Sequence, residues 1–290
     1  MVWIEWVVII ILIATAILFY FMVKSFKNPV VKHSLPPGLP FKKVEEITFT
    51  TQNNKKVYGW WIPVDANLPT IIFIHGWGRN TQRMMSYIKK FCCMDVNLLA
   101  FDARGHGNSD PDGYANLYKF AQDIIAAMDY LTKQNKVKND NFYLVGLSIG
   151  GAASIYAAGN DPRIKKVVTV GAFAHPKAVM EKQFKDKHIP YFPLVWMLYK
   201  YLIIFQSLDL EQIAPEKHIV NSKADFLLVN GKKDKTVPVE QAKRLKEVAG
   251  NKVELLLMEN RGHSDCHLEP GFWDKLTEFF EVHPTKNQKV

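Results

Sequence analysis

The chain has 290 residues, of which 48% are hydrophobic and 22% charged, with a formal net charge of +9. That length suits one α/β domain with a large core, and the charged fraction is ordinary for a globular protein. The lysines are scattered and no zinc-finger, RNP or helix-turn-helix signature accompanies them, so a nucleic-acid partner is excluded and the positive charge is assigned to an anionic membrane surface.

Cys92, Cys93 and Cys266 are odd in number and two are adjacent, which excludes a disulfide framework and mildly favours a reducing compartment. Cys92 and Cys93 fall in a helix-like stretch and read as packing residues.

The first element is apolar. From Trp6 to Val23, WVVIIILIATAILFYFMV carries no charge. As a helix it is about 27 Å long, enough to span a bilayer core. A cleaved signal peptide has a basic segment before its apolar run, whereas this one has Glu5 and no Lys or Arg. Residues 1–25 are therefore expected to be an uncleaved, single-pass anchor in the cell membrane. Lys24, Lys27 and Lys32 follow it, which places the remainder of the chain in the cytoplasm. Catalysis is expected not to depend on the anchor. Residues 26–43, weakly basic and containing prolines, read as an extended linker.

Residues 44–285 alternate between strand-like and helix-like patterns. Strands are expected at Val44–Thr51, Lys56–Ile62, Thr70–His75, Val96–Asp102, Asn141–Leu147, Val167–Gly171, Asp225–Asn230 and Val253–Met258. The first two form an antiparallel hairpin through QNN. The later ones are short and apolar and are separated by amphipathic helices such as Leu117–Lys133 and Val239–Ala249. Such alternation predicts a mostly parallel sheet covered on both faces. Residues 172–223 break the rhythm with an aromatic-rich segment, HIPYFPLVWMLYKYLIIF, and read as a helical cap.

The chemistry centres on LVGLSIGGAAS. Ser148 stands in the pattern Gly146-Leu147-Ser148-Ile149-Gly150, between a strand and a small-residue helix. Glycines on either side permit a sharp turn and close helix packing, and a helix start favours the negative charge that develops during acyl transfer. A serine hydroxyl needs a base, and His263 in MENRGHSD follows the last strand. The base needs an orienting acid, and Asp234 lies just beyond the strand Asp225–Asn230. Asp225 sits at the opposite end of that strand. Asp265 is close enough to His263 to be a local turn or cap, and Asp102 reads as a loop brace. The backbone N–H groups of Ile149 and of Trp77, in HGWGRN, are candidates for an oxyanion hole. His75 and His106 read as structural. The segment HSDCH could offer zinc ligands, but no HExxH or paired CxxC supports it, so no metal and no cofactor are expected.

Taken together, HGWG, DARGHGNS, GLSIGG, GKKDKTVP and RGHSD occur in the order and spacing of α/β-hydrolase-fold proteins. The resemblance covers roughly Val44 to Phe280. It implies an α/β-hydrolase fold: an eight-stranded, mostly parallel sheet flanked by helices, a helical cap after the sixth strand and an active enzyme. It also implies a Ser148–Asp234–His263 triad with Trp77 and Ile149 as oxyanion donors. A serine at the turn, rather than aspartate, sets dehalogenation aside.

The resulting expectation is a membrane-anchored serine hydrolase of a carboxylic ester, extending to lipid-like substrates or thioesters, that works through an acyl-enzyme. A peptidase of the prolyl-oligopeptidase type shares these motifs, although no β-propeller-sized segment precedes the domain. A non-catalytic membrane-anchored binding protein is the alternative from another class. In the cap, Phe192 and Trp196 are expected to line an apolar pocket and select a hydrophobic acyl group.

Overall fold

In the computed structural model, residues 2–36 and 43–285 are described. Residues 37–42 of the expected linker lie outside them. In chain order the elements are α1 (Val2–Ser25), β1 (Glu45–Thr50), β2 (Lys56–Ile62), β3 (Thr70–Ile74), α2 (Met85–Phe91), β4 (Asn97–Phe101), α3 (Leu117–Lys133), β5 (Phe142–Leu147), α4 (Ile149–Asn160) and β6 (Ile164–Val170). They continue as α5 (Pro176–Asp186), α6 (Trp196–Gln206), α7 (Pro215–Ile219), β7 (Asp225–Gly231), α8 (Val239–Ala249), β8 (Val253–Met258) and α9 (Phe272–Phe280).

The eight strands form one sheet in the order β1-β2-β4-β3-β5-β6-β7-β8. The β1–β2 and β2–β4 pairs are antiparallel, and every later pair is parallel. The central strands are continuous apolar runs because both of their faces are covered. Every residue of β3, TIIFI, and of β4, NLLAF, is buried. The helix α3 begins where the Asn116 side chain accepts a hydrogen bond from Lys119 N at 2.9 Å. This is the α/β-hydrolase architecture, with its cap segment following β6.

Two elements differ from the sequence reading. The strand β6 starts at Ile164 rather than Val167. Lys165 and Lys166 mask its first residues in the sequence, yet Lys166 folds its stem inward and donates to Phe279 O at 2.9 Å. The helix α2 ends at Phe91, so Cys92 is its C-cap and Cys93 follows in the turn.

The chain divides into two compact units. One comprises Asn28–Ala174 with Ile213–Val290 and contains the sheet. The other comprises Met1–Lys27 with His175–Gln212, so the apolar N-terminal helix and the cap share a core. In that core Met22 is buried with Phe184, Val195 and Leu198, and Phe19 and Phe26 pack against it. Phe19 meets Tyr201 with ring centroids 6.1 Å apart, and Phe26 meets Phe184 at 6.2 Å. The last turns of α1 therefore double as packing for the cap, which the sequence treats as separate. Met22→Ala is expected to loosen this unit by about 2–3 kcal/mol. A chain lacking residues 2–18 should keep its cap protected from hydrogen exchange, while one lacking residues 2–27 should lose that protection.

Residues 28–36 also depart from a free linker. They are extended, but they belong to the sheet-containing unit. His33 is buried against that unit, with its Nε2 2.7 Å from Asp102 Oδ2. Asn108 Nδ2 donates to His33 O at 2.6 Å, and Asn80 Nδ2 to Val31 O at 3.1 Å.

Candidate active site

The candidate residues gather at the C-terminal edge of the sheet because each follows the end of a strand. Ser148 follows β5, Asp234 lies beyond β7 and His263 beyond β8. In parallel α/β sheets this edge is where ligands bind.

Ser148 occupies a strained backbone position, φ 54° and ψ −119°, as the N-cap of α4. A non-glycine residue held there costs of order 1–3 kcal/mol, supplied by the surrounding packing. That packing is close. A Cβ on Gly146 would lie 2.4 Å from Gly150 O, and one on Gly150 would lie 2.5 Å from His75 O. Only hydrogen fits at either position, so the motif glycines are demanded by the turn itself. Ser148 N donates to Val170 O at 2.9 Å, which ties the turn to the end of β6.

Asp234 is buried and fully engaged. Its Oδ1 accepts from Thr236 N at 2.8 Å and Val237 N at 2.9 Å. Its Oδ2 lies 2.6 Å from His263 Nδ1. A carboxylate there requires the proton on Nδ1, leaving Nε2 with the lone pair that a general base uses. Asp265 serves a different purpose, accepting from Gly262 N at 2.7 Å within the His263 loop. Cys266 is buried, its Sγ donates to Gly262 O at 3.6 Å, and burial pushes its thiol up to about 12. Among the described residues no group of three His, Cys, Asp or Glu side chains could hold a metal ion.

The loop after β3 carries Trp77. The neighbouring N–H groups are committed: Gly78 N donates to His106 Nε2 at 3.0 Å, and Arg79 N to Gly76 O at 3.2 Å. Gly76 comes close to the serine, since a Cβ on it would lie 3.6 Å from Ser148 Cβ. Ile149 is the first residue of α4, where a backbone N–H has no intrahelical acceptor. Ile149 thus follows the serine directly in the chain, and Trp77 follows the glycine that packs against it.

His75, His106 and Asp102 hold these loops. His75 Nε2 accepts from Ala103 N at 3.0 Å while its Nδ1 donates to Gly76 O at 2.7 Å. Burial, helped by His106, pushes the His75 pKa down to about 4, so the ring stays neutral and the bridge persists at physiological pH. Asp102 accepts from Thr81 N and Asn108 N, each at 2.8 Å, and from His33. Burial alone raises its pKa, but these hydrogen bonds outweigh it and hold the carboxyl below its ordinary value. His33→Ala should leave a buried carboxylate oxygen short of a donor. The expected loss is about 1–3 kcal/mol, read by denaturant melting, with hydrolysis retained below the transition.

One residue escaped the sequence reading. Gly171 follows β6 with φ +67°, and its N–H donates to Val229 O at 2.9 Å. A Cβ there would lie 2.9 Å from His263 Nδ1 and 3.4 Å from Asp234 Oδ2. The only signal is a glycine directly after an apolar strand. Gly171→Ala should displace the imidazole and lower kcat by about 10²-fold. Near-wild-type turnover in a folded Gly171→Ala protein would contradict the close fit.

Phe192 and Trp196 belong to the other unit. Their rings are 6.0 Å apart, and they are 71% and 44% exposed rather than part of the cap core. A groove of about 790 Å³ beside α3, lined by Phe49, Gln122, Asp129, Tyr130 and Tyr156, contains none of the candidate residues.

The sheet order and its covering helices define the α/β-hydrolase fold class. The chain belongs to the family described as serine aminopeptidase, S33, whose model matches residues 66–216. It is 30% identical over 123 residues to the uncharacterized protein YfhR of Salmonella typhi, covering 41% of each chain. It is 25% identical over 152 residues to the thiohydrolase aneE of Aspergillus aculeatus, covering 51% of this chain and 46% of that one. The match thus spans less than half the length of these curated relatives. Among solved structures, the Pyrococcus furiosus esterase Pf2001 superposes with a TM-score of 0.71 at 22% identity, covering 88% of this chain and 98% of the other.

Proposed function

We propose that this hydrolase cleaves carboxylic esters through an acyl-enzyme formed on Ser148. The observation that carries the reading is the buried Asp234 carboxylate 2.6 Å from His263 Nδ1, with Gly171 against the imidazole and the preceding Val170 O accepting from Ser148 N at 2.9 Å. Ser148 Oγ attacks the substrate carbonyl carbon as its proton passes to His263 Nε2. The developing oxyanion accepts hydrogen bonds from Trp77 N and Ile149 N. His263 then returns the proton to the leaving alcohol, and water, deprotonated by the same nitrogen, releases the acid. Asp234 holds the imidazole in the useful tautomer and stabilises the imidazolium. Each step moves one proton between named atoms and requires no metal.

Thioesters fit the same chemistry, and a relative named as a thiohydrolase supports including them. A second reading, aminopeptidase or related peptidase activity, draws on the description of the family itself. It differs only in the leaving group, an amine in place of an alcohol.

The apolar helix Trp3–Ser25 is long enough to cross a membrane, and Lys24, Lys27 and Lys32 follow it. We read it as an anchor with the hydrolase on the cytoplasmic side. Phe192 and Trp196 are assigned to selection of an apolar acyl group. The test is a panel of p-nitrophenyl esters of graded chain length beside aminoacyl p-nitroanilides, with fluorophosphonate labelling of the serine. Turnover of esters with labelling at Ser148 supports the reading. Turnover of the anilides alone favours the peptidase, and a folded, unlabelled and inert protein identifies a binding scaffold.

A further inference from the structure

We infer that α6 is a second membrane-inserted element, lying in the leaflet against the anchor helix, so that the cap is held in lipid as well as tethered to it. The inference goes beyond the proposed reaction and rests on the anchor reading of α1.

The first observation is depth. A hydrocarbon core about 30 Å thick takes about 20 helical residues, so one that begins at Trp6, just after Glu5, ends near Ser25. Phe19 then lies about 10 Å inside that core, counted from its Ser25 end. Yet Phe19 is in ring contact with Tyr201 of α6, and Met22 is buried with Leu198 of the same helix. A helix packed on those residues occupies their depth. It cannot sit in bulk water while they sit in lipid.

The second observation is the surface of α6 itself. Its sequence, WMLYKYLIIFQ, is apolar around the whole circumference, with Lys200 as its single charge. A helix apolar all round is normally covered on all sides. Here only one side is covered. Leu198 faces the core of its own unit, while the adjacent Ile203 and Ile204 are exposed, Ile204 at 65%. Phe205 adds a further exposed ring at the helix end. Leaving this face in water carries the full hydrophobic cost of several large side chains. Lipid removes that cost, and α1 already defines where the lipid is.

The charges agree with that placement. Lys200 Nζ lies 6.0 Å from the Trp196 ring centroid, and a lysine stem of this length can reach the headgroups from a buried backbone. Lys24 and Lys27 at the end of α1, and Lys185 and Lys187 beside Phe184, are exposed where Phe26 packs. They stand at the level of the anionic headgroups. The occupant of the exposed face is therefore the leaflet through which α1 passes.

The test uses the full chain in vesicles of phosphatidylcholine and phosphatidylglycerol. Single nitroxide labels are placed through Ile204→Cys, Leu12→Cys and Lys243→Cys, with the unmutated chain giving the background from its native cysteines. Collision with oxygen, which partitions into hydrocarbon, is compared with collision with a water-soluble nickel chelate. Leu12 sets the value for deep insertion and Lys243, exposed on α8, the value for water. The label at Ile204 is expected to shift toward oxygen, with the sign seen at Leu12 and a smaller magnitude. A Leu12 label in lipid with an Ile204 label reading as water overturns the inference while leaving the anchor intact. An Ile204 label shielded from both reagents overturns it in favour of a contact with a second copy of the chain. A Leu12 label reading as water removes the anchor and this inference together, without touching the hydrolase reading.

Discussion

Ser148→Ala is expected to reduce ester hydrolysis by about 10⁴-fold or more, and to abolish fluorophosphonate labelling. The substitution removes one oxygen atom. The backbone position is already strained, and alanine carries the same Cβ, so the strain is unchanged by the replacement. Circular dichroism and melting should therefore match the parent protein. The comparison has to be made on protein shown to be folded, because the turn depends on Gly146 and Gly150 packing without side chains. If folded Ser148→Ala protein turned over esters near the parent rate, the acyl-enzyme on Ser148 would have to be abandoned. Another nucleophile would then be required.

His263→Ala should be about as severe as Ser148→Ala, because groups that act as a unit do not contribute additively. Asp234→Asn should cost up to about 10⁴-fold. An amide at Asp234 can donate to Nδ1, which would move the imidazole proton to Nε2 and remove the lone pair that the proposed general base uses. The same amide would still accept from Thr236 N and Val237 N, so the loop should keep its shape. Asp265→Asn provides the contrast. Its carboxylate caps Gly262 N within the loop, and an asparagine oxygen can do the same. Turnover should remain within a few-fold of the parent. Loss of activity in Asp265→Asn with a harmless Asp234→Asn would reverse the assignment of the acid. The double variant Ser148→Ala, His263→Ala should be no slower than Ser148→Ala alone, within about a factor of ten.

Local chemistry carried much of the design by itself. A serine flanked by glycines between an apolar run and a small-residue helix announces a strand-to-helix turn, because few other backbones require Gly146, Gly150 and Gly151 together. Apolar strands alternating with amphipathic helices announce a parallel sheet, because only a strand covered on both faces is apolar throughout. Leu117–Lys133 and Val239–Ala249 could be bounded to the residue, since their apolar positions recur at the helical period and their ends change composition. Among four aspartates, Asp234 could be favoured because it follows the C-terminal end of a strand.

The tertiary structure decided what depends on partners distant in the chain. The 2.6 Å approach of Asp234 to His263 joins two loops that are set by the β7–β8 register. The fit of Gly171 against the imidazole follows from the neighbouring strand β6, and a lone glycine does not advertise which ring it admits. His33 looked like part of a tether, but Asp102, 69 residues away, needs its ring as a donor. Lys165 and Lys166 hid the start of β6, because a lysine stem can lie along a buried surface while its charge finds an acceptor. The joining of α1 to the cap was the least legible of all. Apolar side chains carry no address: the pattern of Phe19, Met22 and Phe26 says that they must be covered, and only the folded chain says that Phe184, Leu198 and Tyr201 cover them. Hydrophobic burial is non-directional, so a sequence can specify that a surface is buried while leaving the identity of its partner to the tertiary fold.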